Sequence, residues 1–385
     1  MRIVALAAET VRWPIAGTGA ARGRSERAAV LVELRSAAGA IGLGEAAPLP
    51  GTSPDTLADA EDAIARFAGL VPFEVVDRDA AHLLVASTTP SPAARFALET
   101  ALFDALAREQ RISLHALLCA PSERRPRPAH VGASAIAGAV TAAPVRVPLA
   151  AVVDDPDAAR AAFAAGIRCL KIKLDAEHAP DAAADRVRAI AAAAPGAALR
   201  FDANRSWPAA EVAARLAALA PLVPEYVEEP CRQAHRLLGA LQPCPLALDE
   251  SLVDLSPDQL AAALNGPGLA AVILKPVLLG GLTSALVLAA QARAAGVAAV
   301  ASHGLEGPIG TAACAELALA LGEACAAGLA PHPALAAWRL AVPQLATNHI
   351  RAADAPGLGF IGLDLTGALR ACSPGDVDPE RLAAP

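Results

Sequence analysis

The rhythm of apolar and polar positions changes near residue 145. From Val145 onward, short apolar runs alternate with Ala- and Leu-rich stretches of helical length and period. The runs read VRVPLA, RCLKIKL, ALRFDAN, EYVEEP, LALDES, AVILKP and AAVASHG, and segments such as DAAADRVRAIAAAA and LTSALVLAAQARAAG lie between them. Repeated strand–helix units with short links predict a parallel α/β fold. Before residue 145 the order differs. MRIVALAAETV and AAVLVELRSAAG read as strands, GAIGLGEAAPLPG carries turn signals, and TLADAEDAIARFAGL has helical spacing. SPAARFALETALFDALAREQ, from Ser91, reads as an amphipathic helix, so this part is expected to be an α+β unit. PSERRPRPAH at 121–130 marks the passage between the two, with a boundary near residue 125.

Polar residues punctuate the second part at regular intervals. Lys173, Asp202, Glu228, Asp249, Lys275 and Ser302 each close an apolar run, spaced by 21 to 29 residues, about one strand plus one helix. In a TIM-type (β/α) barrel, successive strand ends form a ring around one mouth, so these six would converge. The length of 385 residues leaves room for a barrel of about 250 residues and a smaller domain.

Three carboxylates on consecutive strand ends, Asp202, Glu228 and Asp249, form a hard oxygen donor set suited to Mg²⁺ or Mn²⁺. Crowded in a partly dry pocket they would repel without a cation, although any one of them could instead cap a helix, as Asp202 before Ala-Asn-Arg could. Lys171 and Lys173, two apart in LKIKL, share one face of a strand; facing the interior they would need anions, while the alternative register turns Ile172 inward. Lys275, further round the ring, would face them across the mouth. Cations on opposite sides of a metal-held carboxylate suit acid–base chemistry at the adjacent carbon, and a lysine near the metal and another ammonium would be expected to have its pKa lowered, making it a neutral base near pH 7.

Composition removes other classes. A formal net charge of −7, a pI near 5.7 and 3% aromatic residues speak against a nucleic-acid partner. The first dozen residues hold no apolar signal core, and no later run suits a membrane span, so a cytoplasmic protein without membrane contact is expected. Seven scattered cysteines form no C-x-x-C pair and read as reduced, packed side chains. Oligomeric state leaves no signature.

With those residues in place, the chain resembles the muconate-lactonizing branch of the enolase superfamily, and within it the o-succinylbenzoate synthases of menaquinone biosynthesis. The motifs are GEAAPLPGTSPDT at 44–56, KIK at 171–173, DANRSW at 202–207, EEPC at 228–231, DES at 249–251 and KP at 275–276. The resemblance implies a capping domain over 1–125, a (β/α)7β barrel over 126–345 and a segment over 346–385 returning to the cap. It also implies Asp202, Glu228 and Asp249 as Mg²⁺ ligands, Lys173 as base, Lys275 stabilising an enediolate, and Lys171 beside the substrate carboxylate. The implied reaction is syn-dehydration of 2-succinyl-6-hydroxy-2,4-cyclohexadiene-1-carboxylate to 2-succinylbenzoate. Related N-succinylamino acid racemases and dipeptide epimerases use the same groups, with Lys173 and Lys275 exchanging protons on opposite faces; a barrel that only binds is the alternative from another class.

The pattern departs at the seventh strand end, where ASHGLEGPIG (301–310) replaces a serine-rich stretch. Ser302, His303 and Gly304 there, together with Asn204 of DANRSW, are the expected substrate-binding residues, with part of the pattern kept by Glu306. A lone histidine is more often structural. The Gly- and Arg-rich stretch 16–26 reads as a mobile lid in which Arg22 or Arg24 would meet the succinyl chain, unless they are simply solvated.

Overall fold

The computed structural model describes residues 1–15, 25–120, 146–322 and 325–372. Arg22, Arg24 and the boundary near residue 125 lie outside them. β1 (Arg2–Pro14), β2 (Glu26–Ser36), β3 (Ile41–Ala46) and β4 (Phe73–Glu74) form an antiparallel sheet in the order β3-β2-β1-β4. Helices Leu57–Ala68, Arg78–Thr88 and Pro92–Glu109 follow, the first opened by a reciprocal cap between Thr56 and Asp59.

Two features of this cap differ from the expectation. IGLGEA, within the stretch read as carrying turn signals, is a strand. A Cβ on Gly42 would lie 1.9 Å from the carbonyl oxygen of Ala101, and one on Gly44 2.0 Å from that of Ala97. The glycines permit close approach to the helix behind the sheet, a use that composition alone does not separate from turning. That helix, Pro92–Glu109, is buried on all sides rather than amphipathic: every residue from Phe96 to Ala107 is buried. It runs between the cap sheet and helices Pro276–Leu279 and Leu282–Ala294 of the barrel. Its polar residues Glu99 and Asp104 survive burial because they are bonded. Glu99 meets His82 and the amide of Thr283, while Asp104 accepts from the amides of Leu43 and Leu358 and pairs with Arg108.

β5 (Arg146–Pro148) leads into seven parallel strands: β6 (Ala150–Val152), β7 (Cys169–Lys173), β8 (Ala198–Asp202), β9 (Tyr226–Glu228), β10 (Leu246–Leu248), β11 (Leu269–Leu274) and β12 (Ala298–Ala301). They pair strictly in sequence order. An eighth stave closes the ring: Ala327 bridges Leu149 and Gly328 bridges Ser302, both in parallel. The fold is thus a TIM-type barrel with an N-terminal α+β cap. Alternation sets the layers, with Leu170, Ile172, Phe201, Val227, Val272 and Leu274 in the main core against the helices. Tyr226, Ala247, Ala271, Ile273 and Val300 fill the barrel separately.

β13 (His349–Arg351) pairs antiparallel with β5, and helix Leu365–Ala371 gives its first amide to Glu33 of the cap sheet, 2.7 Å away. All seven cysteines are free. Among the described residues, no helix is long and apolar enough to cross a membrane.

Candidate active site

Because β7 turns Leu170 and Ile172 outward, Lys171 and Lys173 project into the barrel mouth. Lys171 Nζ lies 2.9 Å from Asp202 Oδ2 and 2.8 Å from Glu228 Oε1. Lys173 donates to Asn204 Oδ1 at 3.2 Å, and Lys275, just past β11, pairs with Asp249, just past β10. The structure therefore brings five ion-paired residues together, with Lys173 and Asn204 adjoining them.

The carboxylates are almost sealed from water: Asp202 is 3% exposed, Glu228 1% and Asp249 2%. Burial opposes charge on Asp202, but Lys171, Lys173 and Lys275 outweigh it and hold this carboxyl at about 2. Burial and the neighbouring Asp202 push Glu228 up. Lys171 and Lys275 both stand above the ordinary lysine range. Burial opposes their charge, yet paired carboxylates overcome it and raise both.

Among the described residues, no three His, Cys, Asp or Glu side chains are arranged to hold a metal ion in this conformation, since each carboxylate is turned onto a lysine or a neighbouring amide. The donors nevertheless fit a hard divalent cation. Glu228 Oε2 and Asp249 Oδ1 are buried without a hydrogen-bond partner, and an all-oxygen set on successive strands is the chemistry that Mg²⁺ takes.

The remaining expected residues divide. Asn204, at φ +45°, meets Lys173 and turns its amide to Asp202 Oδ1. Ser302 instead spends its hydroxyl on the carbonyl of Gly328, 3.2 Å away, stitching β12 to the eighth stave. Gly304 donates its amide to Glu306 at 2.7 Å, inside the loop. His303 is stacked on His332, ring centroids 3.9 Å apart and planes inclined by 28°.

Four supporting residues escaped the sequence reading. Glu229 accepts from the amides of Asp249 and Ser251 and from the Ser251 hydroxyl, each at 2.8 Å, and so sets the turn that carries Asp249. The doubled glutamate in EEP was its only signal. Arg27 and Glu45 come from the cap, and His332 from a loop without period.

Arg27, 2% exposed, donates to the carbonyls of Ala47, Pro48, Gly304 and Leu305, tying the cap to the loop after β12. Leu305 there sits at φ +64°, a left-handed conformation that needs outside support. Glu45 accepts from the amides of Gly307 and Gly310 at the start of helix Pro308–Leu321. Burial, countered in part by those amides, pushes its carboxyl up to about 7 from 4.5. The folded chain therefore binds this proton more tightly than the unfolded one. Its contribution to stability is complete below pH 4.5 and is lost as pH rises through about 7, by roughly 3 kcal/mol. Glu45→Gln is expected to flatten that part of the stability curve. Melting temperatures of both proteins from pH 4.5 to 8 check this, and parallel curves would refute it.

A closed parallel barrel under an α+β cap, with lysines and buried carboxylates at the carboxyl ends of its strands, is the architecture of an enolase-type enzyme. The chain belongs to the mandelate racemase/muconate lactonizing enzyme family of the enolase superfamily. Residues 3–119 match the family described as "Mandelate racemase / muconate lactonizing enzyme, N-terminal domain", and residues 154–361 match "Enolase C-terminal domain-like".

Among curated relatives, L-Ala-D/L-Glu epimerase of Escherichia coli (strain K12) is 34% identical over 285 residues, covering 72% of this chain and 78% of its own. The o-succinylbenzoate synthase of Yersinia pseudotuberculosis is also 34% identical, but over 148 residues, 37% of this chain and 45% of its own. That likeness is narrower than the motifs led us to expect. Among solved structures, a dipeptide epimerase from Methylococcus capsulatus, complexed with Mg and the dipeptide L-Arg-D-Lys, superposes with a TM-score of 0.76 at 25% identity, over 93% of this chain and 99% of its own.

Proposed function

We propose that this chain is a Mg²⁺-dependent racemase or epimerase, moving the α-proton of a carboxylate whose α-nitrogen is acylated. Such substrates are N-acylamino acids or the C-terminal residue of a dipeptide. The observation that carries the reading is placement: Lys173 ends β7 and Lys275 follows β11, four staves apart in a ring of eight, so the two ammonium groups come from opposite walls. One lysine removes the α-proton from one face and the other returns a proton to the opposite face, inverting the centre. Lys171, between Asp202 and Glu228, adds positive charge beside the substrate carboxylate. Asp202, Glu228 and Asp249 would hold Mg²⁺, which when bound would supply positive charge against the second negative charge developing on that carboxylate. The epimerase likeness over most of the chain supports this reading above the synthase.

Dehydration to 2-succinylbenzoate is the second reading, favoured by the 148-residue likeness to the synthases. The test is incubation in D₂O with Mg²⁺ and a panel of N-acyl-L-amino acids and L-alanyl dipeptides, followed by NMR of the α-hydrogen and chiral chromatography. Exchange with inversion supports the racemase. Absence of exchange with loss of water from the cyclohexadiene carboxylate would replace it with the synthase, and inertness toward both would reject each.

A further inference from the structure

The loop after β12 presents an imidazole in one defined tautomer. The amide of Leu305 donates to His303 Nδ1 at 3.1 Å, so that nitrogen carries a lone pair, and the proton of the neutral ring resides on Nε2. Protonating Nδ1 would break this bond. The ring is packed against His332, itself buried, and the groups acting on His303 most strongly after burial are His332, Lys275, Lys171 and Lys173, all of which disfavour a second proton on the ring. His303 is half-buried, and no described residue is hydrogen-bonded to its Nε2. Behind it, His332 contacts Thr311 Oγ1 at 3.3 Å through Nε2, while its Nδ1 is buried without a partner. Arg27 adds a further positive charge on that side.

We infer that His303 is a specificity residue whose Nε2–H donates to the acyl carbonyl of the substrate, and that this wall takes an uncharged or anionic acyl group in preference to an aminoacyl group bearing an α-ammonium. The inference rests on the racemase reading above and narrows its substrate class. An acyl oxygen accepts from Nε2–H without loss. An aminoacyl group carries the same acyl oxygen but holds its α-ammonium one carbon beyond it, near Nε2–H and on the side of the site where Lys275, Lys171 and Lys173 already oppose positive charge on the ring. Glu306, the acid of the same loop, is 0% exposed and holds the Gly304 amide, so it stands under the loop rather than facing the ligand.

The matched probes are L-alanyl and N-propionyl derivatives of one L-amino acid, identical except for the amine. Wild-type enzyme is expected to exchange the α-hydrogen of the propionyl compound with a kcat/KM about tenfold or more above that of the alanyl compound. His303→Phe, which keeps a ring to stack on His332 but has no donor, should lose about tenfold in kcat/KM on the propionyl compound, chiefly through KM, and His303→Gln should restore part of it. Circular dichroism melts establish that both variants fold. If the alanyl compound is exchanged as fast as the propionyl one, or if folded His303→Phe keeps the wild-type KM, the inference is overturned and the racemase reading stands. Exchange on neither compound, nor on others of the panel, removes the racemase reading and this inference with it. Should His303→Phe fail to fold, the comparison of alanyl and propionyl compounds on wild-type enzyme decides alone.

Discussion

Replacing Lys275 with alanine is expected to abolish inversion while leaving exchange of one enantiomer with solvent, and Lys173→Ala should do the same for the other. Each should lower the affected exchange by about 10²–10⁴-fold, the range of a positioned general base. The lysines stand on opposite walls, so under the proposed racemase reaction each would address one face of the substrate. Separate measurement of deuterium uptake and of optical inversion for each enantiomer checks the split. If one lysine served both proton steps, as the dehydration reading requires, losing the other would slow turnover without dividing the enantiomers. Lys275→Ala also strands Asp249, 2% exposed and otherwise paired with that ammonium, so folding of the variant with Mg²⁺ present is part of the measurement.

Arg27→Met should produce the largest loss of stability from one change outside the mouth. The guanidinium satisfies four buried carbonyls, two on each side of the seam between cap and barrel. Methionine fills much of the volume and none of those bonds. Leaving several buried acceptors unpaired costs on the order of 3–5 kcal/mol, read as a lower urea midpoint at unchanged slope. A loss below about 1 kcal/mol would mean that water replaces the guanidinium. Since two of the carbonyls belong to Gly304 and Leu305, KM should rise as well.

The barrel was legible because its signal repeats: seven apolar runs, six of them ended by a polar residue, are hard to reconcile with another parallel arrangement. Lys171, Asp202, Glu228, Asp249 and Lys275 converge in the structure for the same reason, since each lies at or near a strand end. Residues that act across long separations were hidden. Arg27 reaches Leu305 and Glu45 reaches Gly310, more than 250 positions away, and no local period marks such pairs. Gly42 and Gly44 misled for a related reason. A glycine needed for a turn and one needed for a neighbouring backbone look alike until the neighbour is in place. The Pro92–Glu109 helix looked amphipathic because Glu99, Thr100 and Asp104 are polar, yet partners on both sides bury them.

That helix also constrains the order of events during synthesis. Its second wall, helices Pro276–Leu279 and Leu282–Ala294, is translated roughly 170 residues later, on the order of 10–30 s at ordinary ribosomal speeds. For that interval the nascent cap carries an uncovered apolar flank that it cannot fold away alone. The finished barrel is what covers it, so the first domain made is completed by helices from the last third of the chain, and chaperone demand should peak between those two moments.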